Sequence, residues 1–159
     1  MGNGVKFSVE MKGLEQMRVA LRELPKLVQQ KVLEGAVAAG GKVIAKEAKQ
    51  KVLVDTGLLR RNIRSTRGKR RDSEASAFVT VRRLTKAKIR AYKKATGKDA
   101  STNPLDPYYW RVLEFGKSTR TAHPFLRPAF NEKGKDAAEA IKEKLGAGIE
   151  EQAKKVAWK

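Results

Sequence analysis

Asp55, Thr56 and Gly57 form the triplet that aspartic proteases use, and the apolar run Val52-Leu53-Val54 precedes it. In such enzymes two copies of the triplet meet in a dimer, and the paired carboxylates share one proton. That geometry needs the triplet on a loop between β-strands. Here a helical pattern leads into it, so we predict a helix-ending turn in which Asp55 caps the next helical turn.

Metal-dependent and nucleophilic chemistry is also disfavoured by the residue types present. Glu47-Ala48-Lys49 and Asp106 match parts of a nuclease signature, but those enzymes hold the Glu-x-Lys on a strand, whereas helical periodicity surrounds it here. His123 is the only histidine and cysteine is absent, which excludes a histidine-rich or thiolate metal site. The glycines match no phosphate-binding motif. We therefore expect no cofactor, no metal and no enzymatic activity.

Positive charge dominates the composition of the 159 residues. Lys and Arg number 36 against 17 Asp and Glu, a net charge of +19, and residues 60–98 hold fifteen basic residues against two acidic ones. Such an excess favours polyanionic partners, either DNA or an acidic protein surface. The candidate contact residues in this block are Arg64, Arg67, Lys69, Arg70, Arg71, Arg82, Arg83, Lys86, Lys88 and Arg90.

Aromatic residues are sparse within that basic block. Phe78 and Tyr92 are the only ones, which is too few for a dedicated single-strand binder that stacks successive bases. No helix-turn-helix, zinc-finger or RNA-binding sheet motif is present. We favour a protein-facing role for the basic residues, with a nucleic-acid-binding accessory protein as the alternative.

Hydrophobic periodicity predicts one α+β domain over residues 1–159. Alternation in residues 5–11 and 77–81 predicts strands of a small antiparallel sheet, packed against a long N-terminal helix and a C-terminal helix. Residues 66–74 read as a surface loop or hairpin tip. The predicted helices cover residues 14–24, 25–54, 58–63 and 124–155, with a break at Pro25.

Two further features of the chain affect how these elements pack. Gly40-Gly41, in the middle of the long helix, indicates a close helix approach or a bend, with a functional hinge as the alternative. Residues 82–107 read as a long, flexible basic loop insertion with a helical turn near residues 86–94.

Three stretches follow one another along the chain: DTGLLRRNI at 55–63, YWRVLEFG at 109–116 and HPFLRPAF at 123–130. Together they resemble the head–tail joining or tail-completion (neck) proteins of long-tailed bacteriophages, a family that includes relatives of minor tail protein Z. The resemblance extends over essentially the whole chain. Lys117 departs from it, because family members often have a threonine there, and the 82–107 insertion is longer and more basic than typical.

This resemblance implies a structural virion protein that completes the tail end or neck and joins head to tail. It implies a homo-oligomeric, six-fold ring around the DNA path, bound to connector or head-closure proteins and to tail-tube or tail-terminator proteins. Non-specific DNA contact stays open. The expected location is the neck or tail end of the virion, after assembly in the host cytoplasm, without membrane association.

Glu114 lies in an apolar run, so we expect its carboxylate to be buried and paired. Arg127 or Arg61 could supply a bidentate partner, either within the chain or across a ring contact. Aromatic residues and Arg are enriched in interface cores. The predicted subunit or partner interface comprises Arg61, Tyr109, Trp110, Glu114, Phe115, Phe125, Arg127 and Phe130.

Overall fold

A computed structural model describes residues 15–68, 74–99 and 103–157. The predicted strand at residues 5–11 lies outside these ranges. Pro25 precedes the first residue of the long helix, which confirms the predicted break, since proline suits a helix start and disfavours helix in the residue before it. The elements are α1 (Glu15–Arg22), α2 (Lys26–Lys51), α3 (Leu58–Asn62), β1 (Ile63–Arg67), β2 (Ala77–Val81), α4 (Lys86–Thr96), α5 (Trp110–Phe115) and α6 (Leu126–Ala157).

β1 and β2 form an antiparallel pair in which Ile63 lies opposite Val81 and Arg67 opposite Ala77. The predicted second strand is confirmed. Thr66 and Arg67, which were predicted to begin a surface loop or hairpin tip, belong to β1, and residues 69–73 of that predicted loop lie outside the described residues. β1 was not predicted as a strand, because Ile63 is its one buried apolar residue. A two-stranded sheet is marginal alone, so this one depends on its packing against α2.

α2 lies between the hairpin and α6, and adjacent glycines face the two neighbours. A Cβ on Gly40 would lie 2.6 Å from Cγ1 of Ile141 and 2.8 Å from the backbone oxygen of Ala137, both on α6. A Cβ on Gly41 would collide with Ser65 of β1. The predicted close approach at this glycine pair is confirmed, and it occurs on both sides of the helix.

α2 and α6 run antiparallel along most of their length. Lys51 near the end of α2 bonds Glu132 near the start of α6, with 2.6 Å between Nζ and Oε1. At the other end, Gly148 lies against Val32. The main core fills the end where the hairpin and α5 join the two helices; it comprises Ala45, Ala48, Val52, Leu59, Ile63, Val81, Trp110, Phe125, Leu126 and Ala129.

The insertion at residues 82–107 contains a complete helix, α4, rather than a single helical turn. Thr85 caps its start by accepting a hydrogen bond from the backbone N–H of Lys88 at 3.4 Å. Gly97, with a φ of 68°, ends it in the left-handed conformation. Otherwise the predicted fold class is confirmed: a small antiparallel sheet packed against a long N-terminal helix, with a C-terminal helix completing the α+β domain.

Candidate functional site

Glu114 of α5 is fully buried and caps the start of α6. Its carboxylate accepts hydrogen bonds from the backbone N–H groups of Phe125 at 2.8 Å, Leu126 at 2.9 Å and Arg127 at 3.1 Å. The first N–H groups of a helix have no partner within the helix, and the helix dipole favours negative charge there. The carboxylate therefore joins α5 to α6 at a site that water does not reach.

Arg127 is the side-chain partner of Glu114, as one of the two predicted alternatives, and the pair lies within one chain, but it is a single contact and not the predicted bidentate one. Its Nε is 3.6 Å from Oε1 of Glu114, and its Cζ lies 4.8 Å from the centre of the Phe115 ring. Arg61 is exposed on α3 and makes no ion pair with Glu114 within the described ranges. The sequence analysis did not predict that backbone N–H groups are partners of Glu114. One signal was available: no Ser, Thr, Asp or Asn stands where α6 begins, so its first N–H groups need a cap from elsewhere in the chain.

Gly116 turns the chain back so that α6 can start beside Glu114. Its φ of 75° and ψ of 178° are essentially restricted to glycine, and a Cβ there would lie 3.2 Å from the backbone N of Ala122. The backbone N–H of His123 then donates to the oxygen of Leu113 at 2.7 Å. These contacts explain why Glu-Phe-Gly and the following Pro-Phe-Leu-Arg act as one unit, which we call the α5–α6 junction (residues 113–127).

The other predicted interface residues divide between the core and the surface. Trp110 and Phe125 are buried in the chain's own core, and Tyr109 and Phe130 are half-buried. Burial raises the pKa of Tyr109, and the nearby Asp55 carboxylate raises it further. Phe115 is 51% exposed beside the exposed Arg127. An interface role for these residues stays a prediction, and the exposed members are the ones placed to make direct contact.

Asp106 anchors the base of the 82–107 insertion. Its buried carboxylate forms a bidentate pair with Arg83, with Nε–Oδ1 at 3.2 Å and Nη2–Oδ2 at 2.8 Å. This hydrogen bonding raises the pKa of Arg83. The buried Asn103 accepts the backbone N–H of Leu105 at 2.9 Å and so shapes the loop before Asp106. Arg83 was predicted to contact DNA or an acidic partner, but its guanidinium is committed to this internal pair.

We expect Asp106→Asn to lower the free energy of unfolding by about 2 kcal/mol, because an amide cannot accept both Arg83 bonds and leaves the guanidinium without its counter-charge. Denaturation with guanidinium chloride measures this loss in the free energy of unfolding. Asp99→Asn is the control, since the Lys93–Asp99 pair is 3.4 Å apart and exposed on both sides. That change should cost less than about 0.5 kcal/mol. Equal losses in the two variants would contradict an anchoring role for Asp106.

The remaining predicted basic contacts lie on the hairpin and around α4. Arg64 and Arg67 are exposed on β1, and Arg67 lies 3.4 Å from Glu34. Lys69, Arg70 and Arg71 lie outside the described residues. Arg82 is exposed directly after β2. None of the residues of α4 is buried, so its cationic side chains are presented to solvent. Those on the helix that were predicted as contacts are Lys86, Lys88 and Arg90.

The protease-like triplet and the Glu-x-Lys considered for catalysis lie in the turn before α3 and on α2, respectively. Asp55 is exposed between two helices, and the prediction that it caps α3 is wrong: Gly57, with a φ of 72°, occupies the cap, and Thr56 Oγ1 accepts the Leu58 N–H at 3.4 Å. Glu47 lies on α2, as predicted, and pairs with Lys51 at 3.5 Å. Across residues 15–68, 74–99 and 103–157, no three acidic or histidine side chains are grouped to hold a metal ion.

None of the helices in the described part of the chain is long and apolar enough to cross a membrane. No curated protein and no solved structure matches the chain significantly. Residues 15–116, well over half of the chain, match the family model HK97-gp10-like, described as "Bacteriophage HK97-gp10, putative tail-component". The matched stretch runs from α1 to the Glu-Phe-Gly of the junction. The chain belongs to this HK97-gp10-like family of bacteriophage tail proteins, which are structural components of the virion.

Proposed function

We propose that this tail protein completes the tail end or neck and joins head to tail, as a homo-oligomeric ring around the DNA path and without catalysing a reaction. The family match over residues 15–116 is the observation that carries the proposal. The Glu-Phe-Gly that ends the match and the Pro-Phe-Leu-Arg that follows it also resemble tail-completion proteins related to minor tail protein Z, and these two motifs meet at the α5–α6 junction.

The mechanism is docking between preformed surfaces. The junction holds α5 and α6 rigidly, so Phe115 and Arg127 are presented in fixed positions. The exposed cations of α4 and β1 then meet acidic surfaces on protein neighbours, which are other subunits of the ring or connector, head-closure, tail-tube or tail-terminator proteins. Acidic proteins fit this surface better than DNA does, because a strongly cationic ring lumen would retain the DNA that must pass through it.

A phage that carries a nonsense mutation in the gene for this protein tests the proposal. We expect filled heads and separate tails by electron microscopy, with infectivity restored when the purified protein is added to the lysate. Complementation with Asp55→Asn is the control for proteolysis, because Asp55 is exposed and caps no helix. Normal joining without the protein would contradict the proposal, and failure of Asp55→Asn alone to rescue would favour an enzyme.

The alternative, a nucleic-acid-binding accessory protein, is supported by the cationic side chains that α4 presents to solvent. It predicts tight DNA binding that weakens steeply with salt, because each phosphate contact releases counterions. A mobility-shift titration at two salt concentrations separates the two functions. Weak binding at both concentrations, alongside failed head–tail joining in the mutant phage, supports the structural role.

A further inference from the structure

α6 carries five acidic residues on one face. At about 100° per residue, they lie within about 40° of a single line along the helix. All five are exposed, while the opposite face carries the buried Ala137 and Leu145. Three of them, Glu139, Glu143 and Glu150, make no ion pair within the described ranges. We call this face the acidic stripe; it consists of Glu132, Asp136, Glu139, Glu143 and Glu150.

α4 carries the complementary arrangement of cations. Lys86, Arg90 and Lys93 are spaced four and three residues apart, so they share one face of the helix, and we call them the basic stripe. All three are exposed, and Lys86 and Arg90 make no ion pair in the described part of the chain. No ion pair between described residues joins α4 to α6 of the same chain. Lys86 and Arg90 of the basic stripe and three residues of the acidic stripe are thus available to another molecule, while the pairs of Lys93 with Asp99 and of Asp136 with Lys133 are exposed and would be exchanged on docking.

We propose that the basic stripe of one subunit docks on the acidic stripe of a second copy of this chain. The inference rests on the proposed ring and specifies its subunit contact. The two stripes lie on different elements, so one stripe can bind one neighbour and the other stripe a second neighbour, and repeated contacts of this head-to-tail kind close into a ring when the rotation permits. An isologous dimer would pair the same two stripes reciprocally, so it is the proposed ring, and not the stripes themselves, that makes the contact head-to-tail.

Spacing and charge both support a second copy as the occupant. Asp136 and Glu143 are seven positions apart, with Glu139 between them, and Lys86 and Lys93 are also seven positions apart, with Arg90 between them, so each set covers about 10 Å of helix. The chain has a net charge of +19, yet five of its 17 acidic residues are gathered on this one face. Self-association at that face brings opposite charges together in a molecule that otherwise repels its copies. DNA would leave the acidic stripe unused.

Charge reversal tests the contact in the full chain at about 0.1 M salt, where the Debye length of about 10 Å leaves close pairs effective. One variant combines Lys86→Glu, Arg90→Glu and Lys93→Glu; the other combines Asp136→Lys, Glu139→Lys and Glu143→Lys. We expect each alone to weaken self-association in sedimentation velocity about tenfold or more, because three attractive pairs become repulsive. An equimolar mixture of the two variants should associate again, since each then offers the stripe that the other lacks.

Lys26→Glu, Lys31→Glu and Lys42→Glu together form the matched control. They change the net charge as much as the α4 reversal does, from exposed positions on α2. This control should associate at least as well as the wild type, because it lowers the overall repulsion without touching either stripe. Loss of association in the α4 reversal but not in this control therefore isolates the basic stripe from net charge.

A wild type that stays monomeric at about 1 mM, or a mixture that fails to associate, overturns the inference. The inference is also overturned if self-association is restored only when both reversals are combined in one chain, because that result indicates a contact between the two stripes within the chain. Loss of DNA binding in the α4 reversal with unchanged self-association assigns the stripe to DNA instead. The experiment with the mutant phage tests the proposed function separately. If head–tail joining requires the protein but the mixture of the two variants does not associate, the proposed function is retained and only this subunit contact is rejected.

Discussion

Glu114→Gln is expected to lower the free energy of unfolding by about 3 kcal/mol, although the two side chains have nearly the same size. The carboxylate accepts three backbone N–H groups at the start of α6. An amide offers one acceptor oxygen, and its NH₂ group would face donors. The change also removes the negative charge that the helix dipole favours, at a fully buried position. Urea denaturation followed by circular dichroism measures the loss.

Glu132→Gln is the matched control on α6. Glu132 is an acceptor too, bonded to Lys51 at 2.6 Å, but its side chain is 56% exposed. Water can replace that bond, so this variant should lose less than about 1 kcal/mol. If the two variants lost equal stability, the buried cap would contribute nothing beyond an ordinary surface pair, and Glu114 would not be what holds α5 to the start of α6.

The sequence allowed the burial of Glu114 to be predicted, but not its main partners. An acidic residue inside an apolar run has to be paired, and Arg127 was among the candidates for that reason. The three backbone N–H groups belong to no residue type, so no motif reports them. Their position became clear only once Gly116 had turned the chain back toward α5.

Elsewhere in the fold, too, features that depend on a clear local sequence pattern were predicted, whereas the partners in contacts between distant residues were not. The helical bounds around Pro25 and the strand at Ala77–Val81 follow from local periodicity, and they were predicted. β1 was missed because Ile63 is its one apolar residue: Ser65, which faces Gly41 of α2, stands at an inward position where alternation would place an apolar side chain. The Arg83–Asp106 pair joins residues 23 positions apart, and nothing in the sequence of the basic insertion distinguishes Arg83 from its neighbours.

Two features thus prepare the chain for assembly in different ways. In the α5–α6 junction, the Glu114 carboxylate bonds to backbone groups of the same chain, and these bonds hold Phe115 and Arg127 in fixed positions at the surface. α4 does the opposite: Asp106 fixes the base of the insertion that carries it, while its cations are exposed and only Lys93 makes an ion pair, with the exposed Asp99, among the described residues. The proposed docking role needs both, because ordering a surface at the moment of contact costs conformational entropy that a pre-ordered surface avoids.

Gly40→Ala is expected to lower the free energy of unfolding by about 3 kcal/mol, against the usual preference for alanine in helices. The added Cβ would lie 2.8 Å from the backbone oxygen of Ala137 and 2.6 Å from Ile141. Ile141 can change its rotamer, but a backbone oxygen in the middle of α6 moves only if the helix moves. The two long helices must then separate along their whole contact. Thermal and urea denaturation both measure this effect.

Gly35→Ala makes the same change one and a half turns earlier on α2 and should have the opposite sign. A Cβ there meets nothing within 4 Å, so alanine should stabilise the helix by about 1 kcal/mol. The difference between the two variants then isolates the α2–α6 contact from helix propensity, which is common to both. Stabilisation by both substitutions would mean that α6 does not approach Gly40 closely, and the antiparallel packing of the two long helices would have to be revised.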